Sequence, residues 1–503
     1  MENKHSKYDI DWKKYLSEER FRPSNKASDG ENNSDHRSPF ESDFGRVVFS
    51  SPIRRMHDKT QVIPLTSGDN IHTRLTHSLE VMNTAKSLAI DLCRDKDFIE
   101  EYGEMEALIL EQKISAILMT AGLVHDIGNP PFGHFGETVN KEYFKDYFKR
   151  NDLFKTDKRD DFCEFDGNAQ GLRILTHLTY VGDLNGMNLT KATLASYMKY
   201  PNAGKIDKSY IGTKKHGVFH TEKKILEDVA VACGMKKGEK IIRHPLSFLV
   251  EAADSICYLA MDIEDGYNLK WYDNKILTAS LDRELNSLIK ENKKKQLLPA
   301  DRYKNDDGSY SFLKIIGSNL SDQAKWKEIN ESDWIVKFRT GLIRYLVSLA
   351  INNFKKNAAE IAQGAYSREL IEDNSLFITE ALQKFTRRHI LSQRDIQKAE
   401  LTGHKVISGL LDILTHYVCH PDESFRDKVK NVISKSILKV SIHEENYDKI
   451  PNGYMRTTAE DLFNVDLNIL GEYQKLRLVV DFVSGMTDKF AVSLYQELLG
   501  IKI

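Results

Sequence analysis

One stretch of this sequence is especially informative: His125-Asp126-Ile-Gly-Asn-Pro-Pro-Phe-Gly-His134-Phe-Gly-Glu137. The residues before it place apolar side chains at helical spacing, at Ile114, Ile117, Leu118, Ala121 and Val124. His125 comes one helical turn after Ala121, so it continues the inward face of that helix. The glycine and the two prolines that follow then end the helix. The pattern predicts a buried helix end that presents an imidazole and a carboxylate side by side.

Two further helices are predicted to bring ligand-type side chains to the same region. His77 begins an apolar row of Val81, Ala85, Leu88 and Leu92, which points it inward. Pro245 suits the first position of another helix, whose apolar row is Leu249, Ala253, Ile256, Ala260 and Ile263. On that helix Asp254, Tyr258 and Asp262 recur every four residues and share one face. Three helices thus offer His77, His125, Asp126 and Asp254.

These four side chains have two interpretations. Two imidazoles and two carboxylates suit Mn²⁺, Mg²⁺, Fe or Co, with positions left for water and a phosphate oxygen. The alternative is a hydrogen-bonded core histidine beside a helix-terminal aspartate, with the Asp254 row on a solvated helix face. Spacing alone leaves both interpretations open.

Composition indicates a mainly α-helical, cytoplasmic protein. The 503 residues include only 11 Pro and 28 Gly, which favours long helices. The five scattered cysteines lack a Cys-x-x-Cys pair and are interpreted as reduced thiols. No apolar run approaches the ~18 residues of a membrane span, and the charged N-terminus does not resemble a secretion signal. Two polar stretches, Ser24–Ser38 and Glu291–Tyr310, are interpreted as a mobile surface loop and a linker-like insertion.

The distribution of charge points to a local site for phosphate. With 72 basic and 74 acidic residues, the net charge predicts no polyanion partner. Residues 199–243, however, hold ten Lys and one Arg against five acids, which makes them a candidate triphosphate cradle. A solvated lysine-rich surface is the alternative for most of these lysines. The chain lacks both Gly-x-x-x-x-Gly-Lys-Ser/Thr and Gly-x-Gly-x-x-Gly, which argues against a kinase or P-loop ATPase.

Several long motifs follow one another in the order seen in the HD-domain phosphohydrolases. Besides residues 125–137, they are Arg54-Arg-Met-His-Asp-Lys-Thr-Gln61, Thr73-Arg-Leu-Thr-His77, Phe165-Asp-Gly-Asn168, Glu251-Ala-Ala-Asp254, Glu400 to Leu411 and Ser484-Gly-Met-Thr-Asp488. More narrowly, the chain resembles the bacterial deoxyguanosine triphosphate triphosphohydrolases. The resemblance runs from Phe40 to Asp488 and so covers nearly the whole length.

The resemblance implies roles for individual residues. His77, His125, Asp126 and Asp254 match the family's metal ligands. His134 matches the family's catalytic histidine, with Glu137 behind it, and a histidine oriented by a carboxylate can move a proton near neutral pH. The residues that match or accompany substrate contacts are Arg54, Gln61, Arg74, Asn168, Lys199, Tyr200, Lys215, Tyr258, Asp262 and Glu400.

The implied substrate contacts divide by the part of the nucleotide that they would touch. Tyr258 and Asp262 match contacts to the deoxyribose, and Gln61 matches a contact to the 3′-hydroxyl. Glu400 matches a glutamate at the guanine edge, where one carboxylate can accept both the N1–H and the N2–H. Otherwise Glu400 is an ordinary exposed helix residue. The matches to phosphate contacts are Arg74, Asn168, Lys199, Tyr200 and Lys215.

Taken together, the resemblance implies an all-α protein with an HD-domain helical core, helical insertions and a helical C-terminal region. Residues 1–39 are expected to form an N-terminal segment, 40–275 the catalytic core with an inserted phosphate-binding segment, and 276–503 a C-terminal region completing the nucleotide pocket and the oligomer contacts. The expected activity is hydrolysis of dGTP to deoxyguanosine and inorganic triphosphate, dependent on Mn²⁺, Mg²⁺ or Co²⁺. A homo-oligomer, hexameric as in the bacterial family, is implied by resemblance alone.

Three alternatives to this function stay open at the level of sequence. One is a dNTPase of broader specificity, and another is a different HD-type nucleotide phosphohydrolase. The third is a regulatory HD protein that binds single-stranded nucleic acid, because some relatives bind single-stranded DNA and the basic segment 199–243 would permit it.

Overall fold

The structure is a computed structural model that describes residues 8, 10–22, 35–62, 71–151, 153, 156–179, 184–292, 299–317, 329–445 and 466–501. Its α-helices, in chain order, are α1 (Trp12–Tyr15), α2 (Pro39–Val48), α3 (Ser51–Arg55), α4 (Arg74–Cys93), α5 (Lys96–Tyr102), α6 (Glu104–Val124), α7 (Gly133–Arg150), α8 (Thr156–Cys163), α9 (Gly167–Arg173), α10 (Lys191–Tyr197), α11 (Lys223–Ala232), α12 (Pro245–Asn268), α13 (Asn274–Asn292), α14 (Phe312–Ile315), α15 (Glu331–Lys356), α16 (Ala358–Gln363), α17 (Ile378–His389), α18 (Arg394–Val418), α19 (Glu423–Val432), α20 (Lys435–Glu445), α21 (Glu472–Ser484) and α22 (Asp488–Leu498).

Very little of the described chain is extended. Its only two strands are β1 (Lys236–Lys237) and β2 (Lys240–Ile241), which pair antiparallel as a short hairpin. The predicted all-α class is therefore confirmed. Of the two polar stretches predicted to be loops, residues 24–34 and 293–298 lie outside the described residues. The division into segments 1–39, 40–275 and 276–503 stays a prediction.

The three helices predicted to carry the ligand-type side chains are all present. α4 begins at a capping box, in which the side chains of Thr73 and Thr76 each accept a hydrogen bond from the other residue's backbone N–H. Pro245 starts α12 as predicted, because the missing N–H of proline costs nothing at that position. α6 ends at Val124, so His125 stands at its C-terminal end.

Gly128 allows the chain to turn closely against α9 after α6. A Cβ atom at this residue would lie 2.1 Å from the carbonyl oxygen of Gly167 and 2.1 Å from the nitrogen of Gly171. Only glycine fits there, because both neighbours are backbone atoms that cannot rotate away. The start of α9 is thereby held against the turn between His125 and Glu137.

The sequence also predicts helices at Asp333–Ala362, Glu369–Phe385 and Leu476–Leu499, and all three differ in the structure. The last of them is divided into α21 and α22. The helix expected from Asp333 to Ala362 is divided into α15 and α16 at Asn357. The helix expected to start at Glu369 begins only at Ile378, so that prediction was wrong at its start. The reason is a run of left-handed backbone just before α17, at Asn374, Leu376 and Phe377.

The turn between His125 and Glu137 joins two hydrophobic cores. The larger core packs α4 against α6 and α12, and α15 against α12, and includes Ile127. The second core is built from α7, α18, α21 and α22 and includes Phe132. α18 crosses close over the turn, since a Cβ atom at Gly403 would lie 2.7 Å from the ring of Phe132. Both cores thus contribute walls to the region of the predicted site.

α6 is the central helix of the larger core. Charged residues interrupt its sequence, yet by length and average composition it could cross a membrane, with a mean hydropathy of 1.5 over its most apolar window. In the fold 67% of that window is buried. It packs so closely on α4 that a Cβ atom at Gly122 would lie 3.1 Å from the Cα of Met82. This burial is typical of a core helix.

A buried ion-pair network ties α9 to the C-terminal helices. Arg173 is fully buried and lies 2.8 Å from Asp481, 2.8 Å from Glu222 and 2.7 Å from Glu444. Asp481 also pairs with Arg477 at 2.9 Å. Because these charges are compensated by one another and not by water, the loss of one would leave others unpaired in the interior.

Replacing Arg173 with Met should lower the free energy of unfolding by about 3–5 kcal/mol, because three carboxylates lose a buried partner. Denaturant unfolding followed by circular dichroism measures the change. Arg37→Met is the control, since Arg37 pairs with Asp35 at the surface, where the two side chains are 57% and 43% exposed. That variant should unfold like the wild type. Equal midpoints for both variants would contradict a stabilising role of the network.

Candidate metal centre and substrate pocket

The four predicted metal ligands meet where α4, α6 and α12 come together. His77 lies in the first turn of α4, His125 follows the last residue of α6, Asp126 comes next, and Asp254 lies in the middle of α12. Ligand atoms of His77, His125 and Asp126 all lie within 4.8 Å of one another. Asp254 Oδ1 lies 3.2 Å from His77 Nε2 and 3.4 Å from His125 Nε2. The structure therefore brings all four side chains together.

The donor atoms of this group fit a divalent cation. The Nδ1 of His125 lies 2.7 Å from the Gly122 carbonyl oxygen, which fixes the ring and turns Nε2 toward the carboxylates. His125 Nε2 and His77 Nδ1 are buried and have no hydrogen-bond partner. Two imidazoles and two carboxylates form a donor set suited to Mn²⁺, Mg²⁺ or Co²⁺.

Electrostatics in the group favour charged side chains despite their burial. Burial acts to lower the pKa of His125, but the carboxylates of Asp126 and Asp254 outweigh it and raise that pKa to about 9. Burial acts to raise the pKa of Asp126, but Arg74 and His125 lower it to about 2. In the metal-free protein a proton on His125 therefore balances part of the acidic charge, and a metal ion would replace it.

His134 and Glu137 form a second pair at the start of α7. His134 Nδ1 lies 3.2 Å from Glu137 Oε2, and the His134 side chain is 75% exposed. The other carboxylate oxygen of Glu137 accepts a hydrogen bond of 2.8 Å from the Gly167 N–H, which fixes the carboxylate. The negative charge of Glu137 raises the pKa of His134 above its ordinary value. The imidazole thus faces solvent while a buried carboxylate orients it.

Arg74 connects this pair with the metal ligands. Its guanidinium donates to Asp126, and it is buried. The same guanidinium occupies the space where a Cβ atom of Gly133 would lie, 2.5 Å from Arg74 Nη2. Arg74 therefore lies against both Asp126 and Gly133, the residue before His134. Arg74 was predicted to contact phosphate, and in the described structure it pairs with a predicted metal ligand.

Three lysines surround the buried ring of Tyr200. The ammonium groups of Lys199, Lys214 and Lys215 lie 5.8, 5.8 and 5.6 Å from the ring centre. The remaining lysines of residues 199–243 are exposed: Lys205, Lys208, Lys223, Lys224, Lys236, Lys237 and Lys240. The structure thus separates a small inward-facing cluster, hereafter the lysine cluster of Lys199, Lys214 and Lys215, from a solvated surface.

Each lysine of the lysine cluster is paired with a carboxylate. The pairs are Lys199 with Glu251 at 3.2 Å, Lys214 with Glu369 at 3.2 Å, and Lys215 with Asp166 at 2.9 Å. Burial acts to lower the pKa of Lys199, but Glu251 outweighs it and raises that pKa well above its ordinary value. These pairs hold charged ammonium groups in fixed directions at the edge of the site.

Two pairings connect the lysine cluster with the rest of the site. Glu251 lies one helical turn before Asp254 on α12, so it places Lys199 next to a predicted metal ligand. Asp166 caps α9 and accepts a hydrogen bond of 2.7 Å from the side chain of Asn168, another predicted phosphate contact. α9 is the helix whose first N–H binds Glu137. The cluster is therefore linked to Asp254 on one side and to His134–Glu137 on the other.

Three further predicted substrate contacts, Tyr258, Asp262 and Gln61, lie on α12 or near the start of α4. Tyr258 and Asp262 follow Asp254 along one face of α12, and Tyr258 is partly buried. Burial, together with Asp265, raises the pKa of Asp262 to about 8. Gln61 lies near the start of α4, because Thr60 pairs with Thr73 in a β-bridge. Its Oε1 atom is buried and has no hydrogen-bond partner.

Glu400 and Arg54 differ in their relation to the site. Glu400 lies on α18 one turn before Gly403, on the side that contacts Phe132, and burial raises the pKa of its carboxyl. Arg54 is exposed and donates to the Phe49 carbonyl oxygen at 3.0 Å. The structure therefore places Glu400 beside the turn between His125 and Glu137, whereas Arg54 bonds within its own surface segment.

Sequence reasoning missed two groups that the structure places in the site. Lys214 was included only in the count of the basic segment, although it adjoins Lys215 in sequence. Asp166 lay inside a quoted motif without a role, and its position before Gly167 at the start of α9 is a helix-capping signal that could have identified it. Neither residue belongs to an apolar row at helical spacing, so periodicity could not identify them.

Comparison with known proteins agrees with this arrangement. Residues 74–165 match the HD domain, and residues 457–497 match the phosphohydrolase-associated domain. A deoxyguanosinetriphosphate triphosphohydrolase-like protein of Listeria monocytogenes is 33% identical over 97% of this chain and 99% of its own length. The deoxyguanosinetriphosphate triphosphohydrolases of Salmonella paratyphi A and Salmonella typhimurium are each 28% identical over 92% of this chain and 94% of their own length. The chain belongs to the deoxyguanosinetriphosphate triphosphohydrolase-like family of HD-domain phosphohydrolases.

Proposed function

We propose that this protein is a metal-dependent triphosphohydrolase that converts dGTP to deoxyguanosine and inorganic triphosphate. One observation carries the proposal: the lysine cluster lies between the predicted metal ligand Asp254 and the His134–Glu137 pair. A nucleotide with its α-phosphate near the metal ligands would place its β- and γ-phosphates toward these ammonium groups. The names of the relatives support this substrate class.

The residues suit a hydrolysis at the α-phosphorus. A divalent ion held by His77, His125, Asp126 and Asp254 would supply Lewis-acid stabilisation of phosphoryl oxygens. A water molecule attacks the α-phosphorus and the bond to the nucleoside 5′ oxygen breaks. His134, whose pKa is raised by Glu137, donates a proton to that departing oxygen. The attacking water loses a proton to solvent, and the triphosphate leaves as one unit.

The polar contacts of the triphosphate would come from the lysine cluster, Asn168 and Tyr200. Because the lysines are already directed by their carboxylate partners, little side-chain entropy is lost when phosphate oxygens bind. Lys214 adds a third ammonium group to the two predicted from the sequence. This arrangement supports binding of a triphosphate chain more than of a single phosphate.

Sugar and base selection rest on α12 and α18. Tyr258 on the Asp254 face of α12 would pack on the deoxyribose and leave no space for a 2′-hydroxyl. Asp262, with a pKa of about 8, is largely protonated at neutral pH and can donate to a sugar oxygen without a buried charge. Glu400 would accept the guanine N1–H and N2–H. A broader dNTPase would use the same metal and phosphate contacts and differ in its contacts to the base.

Partners other than the nucleotide stay predictions from the sequence. A homo-oligomer, hexameric by resemblance, would allow neighbouring subunits to add residues to the pocket. Single-stranded DNA would contact the seven exposed lysines of residues 199–243, and not the lysine cluster.

The metal site can be tested apart from turnover. His125→Ala should abolish tight binding of Mn²⁺ in isothermal titration calorimetry, because it removes one of two imidazole ligands. The matched control is His177→Ala, in the group formed by His177, Glu222 and Glu444, where Arg173 already compensates the acids. In the wild type the affinity should rise with pH up to about 9, since His125 must lose its proton to bind the ion. Equal loss in both variants would refute the assignment.

The reaction is tested by incubating the purified protein with each of the four dNTPs and Mn²⁺ or Mg²⁺. We expect deoxyguanosine and inorganic triphosphate from dGTP, with the other three dNTPs turned over at least ~10-fold more slowly, since a mismatched base leaves Glu400 without its hydrogen bonds. Anion-exchange chromatography identifies the phosphate species. Release of orthophosphate or pyrophosphate would indicate another phosphohydrolase, and equal turnover of all four would indicate a broad dNTPase.

The role of His134 predicts a specific pH dependence of kcat. Since Glu137 raises the pKa of His134, the protonated donor persists to higher pH than for an ordinary histidine. Glu137→Gln removes the negative charge while its amide oxygen can still accept from Gly167. The alkaline limb of the kcat profile should therefore move to lower pH. Glu142→Gln, on the exposed face of α7, is the control and should leave the profile unchanged. An unmoved limb in Glu137→Gln would exclude His134 as the proton donor.

A further inference from the structure

Asp488, the first residue of α22, bonds to two distant parts of the chain. Its side chain is 2% exposed. Oδ2 accepts a hydrogen bond of 2.9 Å from the backbone N–H of Thr60, and Oδ1 accepts one of 3.0 Å from the backbone N–H of Phe132. One carboxylate thereby joins the C-terminal helix to two segments of the N-terminal half.

Lys59 makes a complementary connection through a buried amine. Its Nζ donates to the carbonyl oxygen of Asn129 at 2.6 Å and to that of Ser484 at 2.9 Å. Ser484 ends α21, so this lysine also ties the C-terminal helices to the turn after His125. Asp488 and Lys59 thus cross-link the C-terminal helices to the segments around Thr60 and Phe132 through four backbone groups.

The two N–H groups that Asp488 binds stand one and two residues before residues of the proposed site. Thr60 precedes Gln61, and Phe132 stands two residues before His134. The backbone is left-handed at Phe132, with φ 59°, and at Gly133, with φ 60°. A left-handed phenylalanine is unfavourable and persists only where its surroundings hold it. The hydrogen bond that this N–H donates to Asp488 helps to hold it there.

The ordinary role of an acidic residue at this position does not explain these contacts. An aspartate in the first turn of a helix usually compensates the unpaired N–H groups of its own helix. In α22 that part is taken by Thr487, whose side chain accepts from the Phe490 N–H. Both oxygens of Asp488 are instead directed to N–H groups of other segments. Its geometry is that of a cross-link.

We propose that Asp488 is a positioning residue for the hydrolysis described above, and so this inference rests on the proposed function. It fixes the turn that carries His134 and the segment that carries Gln61 relative to the metal ligands on α4, α6 and α12. Asp488 lies in the segment 457–497, which matches the phosphohydrolase-associated domain. This segment would then be needed to order the turn between His125 and Glu137, hereafter the catalytic turn. Neither oxygen of Asp488 needs to touch the substrate for this role.

The test compares Asp488→Asn with Thr487→Ala. Asn keeps the shape of Asp488 but turns an N–H₂ toward one of the two N–H donors, so one hydrogen bond is lost and replaced by repulsion. Thr487→Ala removes the cap of the same helix without touching Thr60 or Phe132. Hydrogen–deuterium exchange, Mn²⁺ binding and steady-state kinetics with dGTP are measured for both variants and the wild type.

For Asp488→Asn we expect faster exchange in peptides covering residues 57–62 and 126–137, unchanged Mn²⁺ affinity, and a kcat reduced about 10–100-fold through misplacement of the catalytic turn. Thr487→Ala should speed exchange in α22 alone and keep its kcat. Unchanged exchange in residues 126–137, or an equal loss of kcat in both variants, would overturn the proposal.

The measurements distinguish a failure of this proposal from a failure of the proposed function. If the wild type hydrolyses no dNTP, the function is wrong, but the exchange of residues 57–62 and 126–137 still decides whether Asp488 orders them. If Asp488→Asn does not fold, the wild-type exchange decides instead. The amides of Thr60 and Phe132 must then be among the slowly exchanging ones, and rapid exchange would overturn the cross-link.

Discussion

Asp254 Oδ1 lies within 3.4 Å of both imidazole rings of the candidate metal centre. The geometry of the pocket depends on these two contacts. They fix α12 against the ends of α4 and α6, and α12 in turn directs Glu251, Tyr258 and Asp262 along the same wall. Arg74 compensates part of the acidic charge gathered there, and the rest needs a further positive charge. A proton on His125 or a divalent ion can provide it, which is why a metal and a proton would compete for this centre.

The fold class and the ligand helices could be predicted because they depend on local periodicity. His77 and His125 continue apolar rows, and such rows face the core in almost any arrangement of helices. The start of α17 could not be predicted in the same way. Leu376 and Phe377 adopt left-handed backbone that their side chains disfavour, so the conformation is imposed by packing with residues distant in sequence.

Within the site, too, periodicity predicts residues on helices but not residues whose position depends on partners distant in sequence. Lys214 and Lys215 are adjacent in sequence, yet both ammonium groups approach the ring of Tyr200, just after a short 3-10 helix at Ile211–Thr213. No repeat marks such residues. Their role is visible only when their partners Glu369 and Asp166 are placed. Resemblance to the family supplied Lys215 and the ligand set; the structure supplied Lys214.

The pairing of every cluster lysine with a carboxylate has a consequence for how a polyanion would bind. A free cluster of three ammonium groups would repel itself and attract any anion. Three ion pairs are nearly neutral, so a ligand must offer enough negative charge, correctly spaced, to share the lysines with their partners. This favours a triphosphate chain over smaller anions such as orthophosphate.

The distribution of the ligands along the chain also bears on how the protein acquires its native state. α4 and α6 are close in sequence and can form a helical hairpin early, whereas Asp254 lies 177 residues after His77. Loop closure over that distance is entropically costly, so we expect α12 to dock after the hairpin has formed. On that order the candidate metal centre would be completed late, and newly synthesised chains would pass through a stage in which the apolar helix α6 is still partly uncovered.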